Sequence, residues 1–317
     1  MNEVASVLCA HRRSHPSSLA ARGDDARFVT CAPEAWDGEP LVQDPTSRFT
    51  LLMAHDQRVT GPGVPRPVVL KLVAPPYASR QRELIAAQVQ VLRCARTNLL
   101  PAVLDLIELD REGRAHPAEA HCASGLALEA MPGRSLRKVI DEERPWSLQR
   151  RLVFAREVGS WLALMLRRGL CSFDCSPWHI RVLDDGSPAF VGIGSLCPVD
   201  AYGRPEPRHV NFRATRRGSA PPEAYGPQAC QLSADRLAVW SVQALLMHLL
   251  LWKADLPSEV FAGTSTIDRH SVGAVLVPRA RHISERRRKL QRWLVRTWDA
   301  IDLPMLLARL DEQGAAR

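Results

Sequence analysis

The chain has 317 residues, of which 46% are hydrophobic and 24% charged, and its formal net charge is +8. This length suits one large domain or two small lobes, and the apolar content is ordinary for a globular protein. The first residues contain no apolar run ahead of a small-residue cleavage site, which argues against a signal peptide. Polar residues interrupt the longest apolar run, over residues 237–252, so we expect a buried core helix and no transmembrane segment.

The first 40 residues show no clear periodicity, and turn-forming residues such as Pro16 and Gly23 interrupt them. We therefore predict an N-terminal extension over residues 1–40 that is partly disordered. Alternating apolar residues then predict two antiparallel strands, over 49–54 and 68–73, joined by a long Gly- and Pro-rich turn.

Apolar residues on one face predict a helix over residues 79–96. Two further strands are predicted over 102–109 and 125–130, with a polar turn over 110–124 between them. From residue 131 onward the pattern is mainly helical. A sheet with one helix followed mainly by helices predicts an α+β chain of two lobes.

Several features punctuate the helical part. Ser135 and Ser147 are expected to cap a short and a long helix, because a serine side chain can accept a bond from the first free backbone N–H groups. A hairpin is predicted over 180–183 and 189–191, and an apolar helix from Ser233. A basic helix is expected from about Ile283 and a last helix over 304–310.

The eight cysteines form no C-x-x-C pair, and without an export signal we expect reduced thiols in a cytoplasmic protein. Cys171, Cys175 and His179 follow one another at intervals of four residues, where a metal site is conceivable. No fourth ligand follows at the spacing of a zinc finger, which favours ordinary loop residues.

Residues 169–195 read GLCSFDCSPWHIRVLDDGSPAFVGIGS and are the most informative stretch of the chain. Active protein kinases carry H-R-D-L-x-x-x-N in this kind of segment, then a short hairpin and D-F-G. Here the first tripeptide ends in Asp174, Pro177 keeps its place, His179 stands at the position of the Asn, and Gly192 stands at that of the second Asp.

Other landmarks follow in the same order. The segment VVLK over residues 68–71 is similar to the kinase V-A-I-K strand, residues 128–136 to the hinge, and residues 221–223 to A-P-E. Asp235 leads an apolar helix, as a buried Asp does in kinases. From about residue 45 to 312 the chain resembles the protein-kinase-like superfamily, and bacterial Ser/Thr kinase domains most of all.

The resemblance implies a bilobal fold. Its small N-lobe, an antiparallel sheet plus one helix, would occupy residues 41–132, and its larger, mainly helical C-lobe residues 133–317. In this fold Lys71 would contact nucleotide phosphates and pair with a Glu on the next helix. That position falls on Gln88, whose amide supplies a hydrogen bond but no charge; Glu83 could replace it only through a shifted helix. Glu129 and Met131 would flank a nucleotide site that is weak or lost.

In the C-lobe, the resemblance places Asp174 at the catalytic-base position. His179 and Gly192 occupy the usual metal-ligand positions, so no metal is expected, and Ser176 takes the place of an activating Lys. The glycine positions of the phosphate-binding loop fall on Asp44, Thr46 and Phe49. Loss of one charge-stabilising group costs about 10²–10³ in rate, and here several groups are changed together.

We therefore expect a pseudokinase: a catalytically impaired kinase fold that acts in signalling as a protein-binding or regulatory module. Its partner would be a protein, such as an active kinase or an operon neighbour, and no cofactor is expected. One alternative is a divergent Ser/Thr kinase that still uses ATP and Mg²⁺. Another is a basic scaffold that binds nucleic acid, a membrane or another anionic partner through Arg286, Arg287, Arg288 and Lys289.

Overall fold

A computed structural model of the chain describes residues 27–30, 49–61, 64–73, 81–95, 97, 99–109, 115–119, 123–172, 174–192, 196–206, 218–225, 231–256, 293, 296–297 and 302–315. The chain folds as two compact units, the first made of residues 1–92 and 101–130 and the second of residues 93–100 and 131–317. The predicted α+β class is confirmed, because the described residues form a curled antiparallel sheet and five α-helices. The bilobal kinase-like arrangement and the predicted lobe boundaries stay predictions.

The first unit is built on a closed antiparallel barrel with the strand order β1-β2-β3-β6-β4-β5. The strands are β1 (Phe28–Thr30), β2 (Phe49–Gly61), β3 (Val64–Val73), β4 (Val103–Leu109), β5 (Ala115–Pro117) and β6 (Gly125–Glu129). Val68, Leu70 and Leu72 alternate along β3 and share one hydrophobic core with Phe28 and Ile107. The barrel closes because β1 pairs with both β2 and β5.

The closing strands are the part of the barrel that the sequence did not predict. Strand β1 lies in the predicted N-terminal extension, and β5 lies in the predicted polar turn over 110–124. Each is three residues long, too short to show an alternating pattern. The long turn predicted between the first two strands is also wrong, because β2 and β3 stay paired as far as Gly61 and Val64. Two prolines in β3 made this segment resemble a turn in the sequence. In the structure, a register shift in the pairing of β2 with β3 accommodates them.

Arg27 links β1 to its neighbours through charge. Its Nε donates to Asp56 Oδ1 at 3.1 Å and its second terminal nitrogen to Asp56 Oδ2 at 2.9 Å. The same guanidinium also pairs with Asp105 on β4. The Asp56 side chain is only 1% exposed, so Arg27 is the cation that compensates a buried carboxylate.

Helix α1 (Gln81–Ala95) follows the barrel strands β2 and β3 and confirms the predicted helix. Ile85, Gln88, Leu92 and Ala95 recur at helical spacing and are buried. The two strands predicted after it are confirmed as β4 and β6.

The second unit contains most of the helices. In chain order its described elements are β7 (Arg134–Ser135), α2 (Leu136–Glu142), α3 (Leu148–Arg167), β8 (Leu170–Ser172), β9 (Ile180–Val182), β10 (Pro188–Phe190), β11 (Leu196–Pro198), a 3₁₀ turn (Pro222–Tyr225), α4 (Ala234–Leu251) and α5 (Leu303–Ala315). The predicted caps are confirmed: Ser135 and Ser147 accept bonds from the backbone N–H groups of Lys138 and Arg150. The predicted hairpin is formed by β9 and β10, and Trp161 of α3 stacks on Phe190 with ring centroids 3.6 Å apart.

Helix α4 is the central apolar helix of this unit. Among the described helices it alone is long and apolar enough to cross a membrane, yet 78% of it is buried inside the fold, as in the core helix of a soluble protein. Asp235 is not the buried residue that the resemblance suggested: it is exposed in the first turn, beside the cap Ser233. A carboxylate there is stabilised by the helix dipole while it stays in water, and the buried position one turn later is Ala238.

The Arg27–Asp56 pair gives a test of barrel closure. Arg27→Ala leaves the Asp56 carboxylate buried without its cation, and we expect a loss of about 3 kcal/mol in the free energy of unfolding. The matched control is Arg134→Ala, which removes a guanidinium bonded to the exposed Glu142 and Glu143 and should cost less than about 1 kcal/mol. Urea unfolding measures both, and equal effects would mean that β1 does not close the barrel as described.

Candidate functional site

The loop between β8 and β9 holds Asp174, which is 4% exposed. Helix α4 fixes the start of this loop, because Ser241 Oγ donates to the carbonyl oxygen of Ser172 at 3.4 Å. Helix α2 fixes its end: the Arg137 N–H donates to the Pro177 carbonyl at 3.1 Å, and the Arg137 guanidinium lies 3.6 Å from the centroid of the Trp178 ring. The loop is therefore held at both ends by helices of the same unit.

The carboxylate of Asp174 is bound within the loop itself. Its Oδ1 accepts a hydrogen bond from the Ser176 backbone N–H at 3.0 Å, and its Oδ2 lies 3.4 Å from His179 Nδ1. Burial alone would raise the pKa of Asp174, but the charge of His179 and the hydrogen bonds from His179 and Ser176 outweigh it and lower this pKa to about 2. Asp174 is thus a carboxylate that its own neighbours stabilise in the ionised form.

Gly192 lies directly against the side chain of His179. The Val191 N–H donates to the His179 carbonyl at 2.9 Å, which holds the two backbones together. A Cβ atom at position 192 would lie 2.5 Å from both Cβ and Cγ of His179 and 2.9 Å from its Nδ1. No side chain fits there without movement of the backbone, so His179 occupies the space that a residue at 192 would need.

These residues do not fit a magnesium ion. Gly192 offers no side-chain oxygen and has no room for a carboxylate, and the imidazole of His179 suits softer metals than Mg²⁺. The metal site considered for Cys171, Cys175 and His179 does not form either, because Cys171 faces Cys197 and the Cys175 thiol donates to Ser172. Within the described part of the chain, no group of three His, Cys, Asp or Glu side chains is placed to hold a metal.

In the first unit, Lys71 on β3 reaches helix α1. Its Nζ donates to Gln88 Oε1 at 2.7 Å, and its side chain is 4% exposed. Desolvation lowers the pKa of Lys71 to about 7. Gln88 is the partner that residue counting on the sequence selected, whereas Glu83 is exposed.

The two residues predicted to form a hinge belong to different units. Glu129 bonds within the first unit: its N–H donates to the Ala102 carbonyl at 2.9 Å, and its carboxylate pairs with Arg66 at 3.1 Å. Met131 is buried in the second unit. Their assignment to a nucleotide site stays a prediction.

The structure thus brings the predicted residues together in two sets. Asp174, His179 and Gly192 contact one another in the second unit, and Lys71 contacts Gln88 in the first. The basic residues 286–289 and two glycine-loop positions, Asp44 and Thr46, lie outside the described residues; Phe49 begins β2. Sequence reasoning missed the Ser172–Ser241 bond and the Cys171–Cys197 contact, since neither pair shows a spacing pattern.

No protein-family model matches the chain, and no curated protein is similar to it.

The contact between Gly192 and His179 predicts the effect of one added methyl group. Gly192→Ala should cost about 1–3 kcal/mol in the free energy of unfolding, because the new Cβ meets two atoms near the His179 backbone. Gly159→Ala is the matched control: its Cβ would come closer than 3.0 Å to one atom only, the terminal Cδ2 of Leu307 at 2.6 Å, and alanine favours a helix by about 1 kcal/mol over glycine. Denaturant unfolding compares the two, and a neutral Gly192→Ala would contradict the packing described.

The pKa of Lys71 predicts a pH dependence of stability. Between pH 7 and the ordinary lysine value the unfolded chain binds a proton that the folded chain does not, so the free energy of unfolding rises with pH, by at most about 1.4 kcal/mol per pH unit. Lys71→Met should remove this contribution. Gln88→Glu should reduce it, because an adjacent carboxylate raises the lysine pKa. Identical pH profiles for the wild type and Lys71→Met would contradict the burial of this amine.

Proposed function

We propose that this protein is a pseudokinase, a kinase-like fold that acts as a protein-binding or regulatory module and transfers no phosphoryl group. The observation that carries the proposal is the packing of His179 against both Asp174 and Gly192. This packing leaves position 192 without a side-chain metal ligand. It also engages the carboxylate of Asp174, which stands at the predicted catalytic-base position. The kinase assignment itself is supported by the ordered landmarks in the sequence and by the Lys71–Gln88 contact.

The electrostatics support the loss of catalysis. Phosphoryl transfer depends almost entirely on positioning and on cations that neutralise developing charge. Gly192 supplies no metal ligand, the position of an activating lysine is Ser176, and the partner of Lys71 is an uncharged amide. Each such loss costs about 10²–10³ in rate, so their combination removes turnover in the usual kinase range of roughly 1–100 s⁻¹ even when the losses are not additive.

The lowered pKa of Lys71 is a further argument that nucleotide binding is weak. A lysine whose pKa is about 7 carries its charge on only part of the molecules at neutral pH. Active kinases keep this charge by placing a glutamate beside the lysine, whereas Gln88 has none to offer. ATP and Mg²⁺ therefore have no strong anchor among these residues.

A surface feature supports a protein partner. Tyr202 is 82% exposed at the tip of a turn in which the Asp200 side chain accepts bonds from the backbone N–H groups of Tyr202 and Arg204, both at 2.9 Å. Tyrosine and arginine are enriched at the energetic centres of protein interfaces, and a turn fixed before binding reduces the entropy lost on association. The cytoplasmic location of this module is part of the proposal.

Thermal unfolding with and without Mg²⁺ and ATP tests nucleotide binding. We expect no rise in the melting temperature at millimolar nucleotide, because the site binds nucleotide weakly. A ligand present at 100 times its Kd would stabilise the fold by about 2.7 kcal/mol, which would raise the melting temperature measurably. A clear rise in the wild type that is lost in Lys71→Met would favour the divergent active kinase instead.

Transfer of radiolabelled phosphate from ATP to generic protein substrates tests catalysis. The wild type and Asp174→Ala should give the same background signal. Incorporation that exceeds background and disappears in Asp174→Ala, with the folded state verified by circular dichroism, would overturn the proposal.

A further inference from the structure

Cys171 and Cys197 are paired across two strands next to the site. They are direct partners in the antiparallel register of β8 and β11, and their Sγ atoms lie 3.2 Å apart. Both are free thiols, and both are buried, with side chains 1% and 0% exposed. Apolar residues of the same core cluster surround them, among them Ala220, Leu232 and Leu237.

The backbone geometry suits a disulfide. The Val199 N–H donates to the Gly169 carbonyl at 2.8 Å, which makes residues 169 and 199 a hydrogen-bonded pair of the ladder. Cys171 and Cys197 lie two residues further along each strand and form the next such pair. The Cα atoms of hydrogen-bonded pairs are about 5.5 Å apart, and those of disulfides most often about 5.5–6 Å. The two Sγ atoms lie 3.2 Å apart and must approach to about 2.05 Å, so the bond requires a movement of about 1 Å in the side chains or strands.

We propose that Cys171 and Cys197 form a reversible disulfide when the protein meets hydrogen peroxide, and that this bond clamps the segment carrying Asp174, His179 and Gly192. The inference does not depend on the proposed function, because it rests on the strand pair alone.

The reaction balances with peroxide as the oxidant. The sulfur of one cysteine, for example Cys171, attacks one peroxide oxygen, the O–O bond breaks, and the departing hydroxide takes the thiol proton and leaves as water. The resulting sulfenic acid is attacked by the sulfur of Cys197; the S–O bond breaks, and a second water leaves with the Cys197 proton. Two thiols and one hydrogen peroxide thus give one disulfide and two waters.

The two thiols form one buried pair, so either sulfur can react first. The hydrogen bond with Cys171 and then burial raise the pKa of the Cys197 thiol. Peroxide is small and uncharged, which suits a pair that apolar side chains cover. Small thiols restore the dithiol by exchange.

The bond would close a loop that begins at Cys171 and ends at Cys197 and contains the whole set of site residues in the second unit. Cross-links stabilise mainly by reducing the freedom of the unfolded chain. Oxidation should therefore raise the melting temperature by about 5 °C, and a thiol reductant should reverse the rise.

Peptide mapping of the full-length protein tests the proposal. The protein is treated with hydrogen peroxide, its remaining thiols are alkylated in denaturant, and it is digested with trypsin without reductant. Cys171 and Cys175 share the peptide 169–181, and Cys197 lies in the peptide 182–208, because the bond before Pro205 resists trypsin. Fragment ions locate the linked cysteine, and the Cys175→Ser variant removes the ambiguity.

Cys175 is the matched control, since it is equally buried but its thiol donates to Ser172, and burial raises its pKa to about 12. We expect the linked peptides and the higher melting temperature in the wild type and in Cys175→Ser, and neither in Cys171→Ser. If Cys171→Ser does not fold, the fragment ions of the first two proteins decide. Linkage through Cys175, alkylation of both Cys171 and Cys197 after peroxide treatment, or their oxidation to sulfinic acid overturns the proposal.

Discussion

The contact of His179 with both Asp174 and Gly192 is the interaction on which the site depends. The Val191–His179 backbone bond brings positions 179 and 192 so close that only glycine fits at the second. The imidazole then lies beside the carboxylate of Asp174 and keeps it ionised although it is buried. Glycine at 192 is thus a requirement of the packing, and an Asp at this position would require the backbone to move first.

In the first unit, the buried ionisable group is the amine of Lys71. Removal of an ammonium from water is costly, and the Lys71 Nζ donates to an amide oxygen of Gln88, which carries no charge. The lowered pKa of Lys71 reduces the cost because the amine can give up its proton. In the barrel, by contrast, the buried charge of Asp56 is neutralised directly by Arg27. The Arg27–Asp56 pair therefore joins opposite charges, whereas the contact of Lys71 with Gln88 joins an amine to an uncharged amide.

Patterns that are local in sequence predicted most of the elements. The serine caps, the apolar face of α3 and the apolar run of α4 each depend on residues within one or two helical turns. The position of Gln88 follows from counting residues along the chain. Features that depend on partners distant in sequence were missed. Strands β1 and β5 form because they pair with each other and with the longer strands β2 and β4. The exposure of Asp235 and the contact of Cys171 with Cys197 likewise depend on how elements pack, which no spacing reveals.

The titration of the Asp174 carboxyl group tests the account most directly. In protein labelled with ¹³C-aspartate, the signal absent from Asp174→Asn identifies this residue, and its chemical shift is followed against pH with and without Mg²⁺ and ATP. The account predicts a pKa of about 2 that millimolar Mg²⁺ and nucleotide leave unchanged. A pKa at or above the ordinary aspartate value of about 3.9, or a saturable shift of the signal with Mg²⁺ and ATP, would contradict it.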